Sequence, residues 1–243
     1  MTTADRWTRT VREQLGLGRF LPLGGPRDGA WIAERAARGI LLEAADSVPG
    51  VRLDGLRVGP ADPEEAQEPA VPPPPSALPP GPLRVTADLA ATADEPLPTT
   101  TARVRTALAT AATARLGLTV TEVDLRVTAL LEADREPARP PRPEPAPGDA
   151  RGPGGPAGEG DEARAAAAAL AVAGVTRLTD TLGRPAHFTA SSGEAVLPRR
   201  HVRVECAVDA GHRTVEVARR LRAAVSEALP DHPSVAVLVT ALD

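Results

Sequence analysis

Between residues 31 and 47, the apolar side chains Ile32, Ala33, Ala36, Ala37, Ile40, Leu41 and Ala44 recur at helical spacing. Asp28 stands ahead of them as an N-cap. Val48-Pro49-Gly50-Val51 breaks this helix and leads into a short strand over 51–58. Farther on, Leu83, Val85, Ala87 and Leu89 alternate with Arg84, Thr86 and Asp88, the period of a half-buried strand. Pro98 and Thr99 open a helix running to Leu116, with Val104, Leu108, Ala111 and Ala112 inward and Gly117 as its C′ residue. Val123, Leu125 and Val127 then alternate with Asp124, Arg126 and Thr128 in another strand.

The same order returns after residue 160. An alanine-rich helix over 161–172 precedes a strand over 175–182, a loop around 187–197, and a strand over 201–209. An amphipathic helix over 214–229 and a strand over 235–242 follow. Val172-Ala173-Gly174-Val175 echoes Val48-Pro49-Gly50-Val51, and Val127-Thr128-Ala129-Leu130 recurs letter for letter as Val239-Thr240-Ala241-Leu242. The expectation is an α+β chain of two tandem α-β-β-α-β units, each a three-stranded sheet with two helices on one face.

Proline placement sets the boundaries. Most of the 27 prolines crowd into 59–82 and 132–160, which read as proline-rich disordered segments, the first an insertion and the second a linker. The expected domains are an N-terminal arm at 1–27, repeat 1 at 28–131, the linker at 132–160 and repeat 2 at 161–243. Within the arm, Trp7, Val11 and Leu15 form one helical stripe flanked by arginines, a candidate for docking on the chain itself or for peripheral contact with an anionic membrane.

The motif Leu116-Gly117-Leu118-Thr119-Val120-Thr121-Glu122-Val123-Asp124-Leu125-Arg126-Val127, together with the glycine-valine stop after the first helix, resembles the alkaline-shock, envelope-stress-response family of Gram-positive bacteria. The resemblance covers most of 30–131 and, more faintly, 161–243. Repeat 2 lacks the Leu-Gly-Leu element, and repeat 1 carries the insertion. What the resemblance implies is a small cytoplasmic protein that works through a protein partner, associates with the membrane through it, and has no catalytic role.

Composition narrows the picture further. All basic residues are arginine, as in a GC-rich genome, and the formal charge of −4 argues against general nucleic-acid binding. One cysteine excludes an internal disulfide and suits a reducing compartment, and no apolar run approaches a membrane span, so the expected location is cytoplasmic.

Candidate chemistry is sparse. Cys206 shares its parity with Val204 and Val208, as a buried structural thiol would. His187, His201, His212 and His232 lack tight ligand spacing, and Glu122 and Asp124, on a strand face that also holds Arg126, read as cross-strand ion pairing with Arg84 and Asp88. No cofactor is expected. Two interaction readings remain. The strand 235–239 is apolar on both faces, which makes Leu238 a candidate assembly surface for self-association, a protein partner or the first repeat. Arg199, Arg200 and Arg203 form a candidate anion-binding face. The leading expectation is a non-enzymatic interaction or scaffold protein, and the alternative is a small-ligand or anion-binding module.

Overall fold

The computed structural model describes residues 16–132, 160–191 and 199–243. The Trp7/Val11/Leu15 stripe and nearly all of the 132–160 linker lie outside these residues.

The chain is a mixed α+β fold with four α-helices and two sheets among the described residues. The smaller sheet takes β3 (Val51–Pro60), β4 (Leu83–Thr92) and β5 (Val120–Leu131) in the order β3-β4-β5. Its first pairing is antiparallel and its second parallel. Helices α1 (Glu34–Asp46) and α2 (Leu97–Thr110) accompany it, α2 continuing into a π-helical turn over Ala111–Leu116. Gly117 follows at φ +86°, the left-handed C′ geometry the sequence predicts.

The larger sheet contains β1 (Phe20–Pro22), β2 (Ala30–Ala33), β6 (Val175–Leu178), β7 (Ala186–Ser191), β8 (Arg199–Val208) and β9 (Ser234–Leu242). Its order is β1-β2-β9-β8-β6, with β7 also on β8. β6 pairs β8 antiparallel and β8 pairs β9 parallel. Helices α3 (Asp161–Leu170) and α4 (Thr214–Ala228) belong to this half. One continuous core joins both halves, holding Leu21, Ile32, Leu41, Val85, Leu108, Val204, Leu221 and Val237 in a single cluster. Each such leucine or valine contributes about 2 kcal/mol by leaving water.

Several expectations change. Ala30–Ala33 is a strand rather than the start of a helix, because parallel pairing with Val237–Val239 of β9 outweighs the helical spacing. The helix therefore starts at Glu34, and Asp28 caps no helix. Residues 16–27, assigned by sequence to the arm, enter the fold: Leu21 and Leu23 are fully buried, and β1 is a sheet edge. The loop expected around 187–197 begins as β7.

The proline-rich insertion is a fixed strap. Leu78 N donates to Phe20 O, Phe20 N to Ser76 O, Ala70 N to Pro26 O, and Trp31 Nε1 to Leu78 O. The strap presses Val71 onto a second apolar cluster with Leu17, Phe20, Trp31, Ala33, Ala236 and Leu238, over the outer face of β2 and β9. Proline cannot complete a ladder, but it can be held by its carbonyls and packed by its ring.

Candidate functional site

Strand alternation divides β8 between two faces. Val202, Val204, Cys206 and Val208 enter the main core, and His201, Arg203 and Glu205 point the other way. That second row is buried: Glu205 is fully enclosed and His201 is 5% exposed. The cover is the turn between β6 and β7. Thr179 N donates to Glu205 O, Glu205 N donates to Pro185 O, and Leu182 N donates to Glu205 Oε2 at 2.9 Å. Glu205 Oε1 lies 3.4 Å from Arg203 Nη2 without hydrogen-bond geometry, and Arg203 Nε also lacks a partner among the described residues.

Burial dominates the electrostatics of this row. It raises the Glu205 carboxyl to about 7, against the opposing pull of the Leu182 N–H and the Arg203 charge. It also lowers His201, reinforced by Arg203 and outweighing the bond with Ser234. Burial, and then Glu205, push the Cys206 thiol up to about 12, the setting of an inert cysteine. A carboxyl sealed from solvent in this way ties down the turn that covers it. The sequence reading missed Glu205, because its letter and parity match a solvated strand face.

Among the described residues, Leu238, Arg200 and Arg203 share no surface. Leu238 is fully buried under Trp31, Phe20 and Val71, so the chain's own N-terminal segment and strap cover the face expected to be open for assembly. Arg200 and Arg203 point to opposite faces of β8 and form no common anion-binding surface. Arg200 is already held by Asp161 at 2.8 Å and Asp231 at 3.2 Å, with its guanidinium 4.8 Å from the Phe188 ring centroid. Arg199 begins β8.

A cleft of about 480 Å³ lies where the two halves meet, lined by Gly24, Thr113, Gly117, Arg213, Val215 and Arg219 among others. Its cations are engaged. Arg219 bonds Asp28 through Nε at 2.8 Å and Nη2 at 3.0 Å, and Arg213 pairs with Glu216 at 3.2 Å. Burial would raise Asp28, but the Arg219 bonds, the Gly25 N–H and nearby positive charge together hold it below the usual carboxylate range. Asp28 thus joins α4 to the Gly25 turn. No cluster of three or more metal-ligating side chains occurs among the described residues.

The open feature is β5. Among the described residues it borders its sheet, with β4 on one side and no strand on the other. Its polar face carries Glu122, Asp124 and Arg126 in register with Arg84, Thr86 and Asp88. Arg84 Nε donates to Glu122 Oε2 at 2.5 Å and lies 3.5 Å from Asp124 Oδ2, the Arg84 part of the cross-strand pairing expected from sequence; Asp88 makes no ion pair among the described residues. Its inward face is incompletely covered, leaving Val127 37% and Leu130 63% exposed. On the free edge, Arg105 Nε of α2 donates to Val123 O at 3.2 Å.

No helix among the described residues is long and apolar enough to cross a membrane. No protein-family model and no curated protein matches this chain. A solved structure of a doubly substituted MamM C-terminal domain is similar at 14% identity and a TM-score of 0.25, covering 40% of this chain and 93% of that one. A likeness at that level carries no argument about fold or function.

Proposed function

We propose that this chain is a non-enzymatic interaction protein whose working surface is the open edge of β5, and that it is built from two tandem copies of one α-β-β-α-β unit. The observation carrying the first part is a long edge strand that no second strand pairs among the described residues, with Val127 and Leu130 exposed. Natural sheets seldom leave such an edge uncovered unless something pairs with it.

Three correspondences support the second part. Strands β3-β4-β5 and β6-β8-β9 share an antiparallel pairing followed by a parallel one. Gly50 and Gly174 follow the first helix of each half at φ +70° and +96°. The repeated Val-Thr-Ala-Leu closes the third strand of each. The halves differ at that strand's far edge: β2 pairs β9 there, and β5 has no equivalent among the described residues.

An association with cell-envelope stress belongs to the same reading and rests on the motif from Leu116 to Val127. Peripheral membrane contact through Trp7, Val11 and Leu15 is its other part. Deleting residues 1–15, and not Phe20 or Leu21 of the core, should abolish liposome co-sedimentation; equal sedimentation would exclude that contact.

The main test is Val127→Pro, which removes an edge N–H without touching the β4 ladder. A pull-down from the native cell with the full chain should lose its defined partner on this substitution. Equal capture by both proteins would overturn the reading.

A further inference from the structure

We propose that the partner at the β5 edge is a second copy of this chain, bound antiparallel across a two-fold axis through Leu125. The inference rests on β5 being the working edge, and it adds the identity and register of what binds there.

Backbone polarity gives the first constraint. Parallel pairing with β4 places Val85 opposite Val123, Ala87 opposite Leu125 and Leu89 opposite Val127. In such a ladder the N–H and C=O of alternate residues turn to opposite sides. The bond from Arg105 to Val123 O shows that Val123 faces outward, and with it Leu125 and Val127. A second strand must satisfy these three residues.

Side-chain chemistry gives the second constraint. Around Leu125 the sequence reads Val123-Asp124-Leu125-Arg126-Val127, a palindrome in apolarity and an inverted one in charge. Pairing Leu125 with Leu125 of a second copy sets Val123 opposite Val127 and Asp124 opposite Arg126, each twice. The outward backbone groups then meet as three hydrogen-bonded pairs, about six bonds. The two Asp–Arg contacts fall at the closer non-hydrogen-bonded positions, where opposite charges attract and like charges repel. Arg126 makes no ion pair among the described residues. The apolar row extends outward to set Val120 near Leu130 of the second copy, covering the most exposed leucine of the edge.

Competing registers are worse. Centring on Asp124 places Asp124 against its own copy, and centring on Arg126 places two arginines together. Shifts by one residue turn the apolar row onto the charged face. Irregularities between Leu83/Arg84 and between Leu89/Ala90 in the β4–β5 ladder flank this regular core and bound the pairing. Arg105 is the competitor, because its guanidinium must release Val123 O when the second strand arrives.

Charge reversal tests the register. The full chain should be dimeric by light scattering at high micromolar concentration. Arg126→Asp alone and Asp124→Arg alone should each be monomeric, the first facing acid with acid and the second base with base. Mixed in equal amounts they should form a heterodimer, since each then meets its opposite. Arg105→Ala should tighten self-association several-fold by removing the competitor. Thermal melts that stay cooperative in every variant establish folding. The proposal is overturned if the wild type is monomeric, if either variant dimerises alone as the wild type does, or if the mixture stays monomeric. A monomeric wild type that still loses a defined foreign partner on Val127→Pro would remove self-pairing and leave the working edge intact.

Discussion

Replacing Glu205 with glutamine should abolish a pH dependence of stability that the wild type carries between weakly acidic and weakly basic conditions. The glutamine keeps the volume and the oxygen that accepts the Leu182 N–H, and it removes the titration. In the folded chain the carboxyl titrates near 7, above its ordinary 4.5, so folding favours the protonated form. The stability this group contributes is therefore fully present below about 4.5 and is lost as pH rises through about 7. The difference corresponds to about 3 kcal/mol. Urea unfolding of both proteins at a series of pH values measures it as a difference profile. His201 and Asp28 also titrate, but they do so in both proteins and cancel. The wild type should lose about 3 kcal/mol relative to the variant from acid to base. Parallel profiles, or a wild type that gains on the variant as pH rises, would refute the burial argument.

Leu238→Asp should unfold the chain, costing about 3–5 kcal/mol for an unpaired buried charge, and a melt should show this; altered mass with an unchanged melt would return Leu238 to the surface. Asp28→Ala should cost about 1–3 kcal/mol by urea unfolding, because it strips partners from both Arg219 and the Gly25 N–H. Cys206 should resist thiol reagents in the native state and react fully in denaturant.

Most elements were legible because their periodicity is clean. Leu83–Leu89 and Val123–Val127 alternate, and Val104, Leu108 and Ala112 repeat every four residues. Trp31-Ile32-Ala33 was not legible as a strand. It sits directly before a real helix, and only a partner more than 200 residues away in sequence, Val237–Val239, makes it extended. The strap's role was hidden for a related reason. Polyproline composition forbids a ladder but says nothing about docking, and Val71 is one apolar letter among polar ones. The strand 235–239 is visibly apolar on both faces, but the pattern does not say what covers Leu238, which is Trp31, Phe20 and Val71 of the same chain. Glu205 left no trace in the pattern, since burial depends on a turn contributed by Thr179–Pro185. β5 was visible as a strand, whereas its place at the border of the sheet among the described residues is a property of topology.

Backbone amide exchange at Val123, Leu125 and Val127 tests the central claim most directly, because those N–H groups are the proposed contact. Read residue by residue across a concentration series, their exchange should slow as the chain dimerises, with amides elsewhere unchanged. Fast exchange at all three under conditions where light scattering reports a dimer would contradict the account.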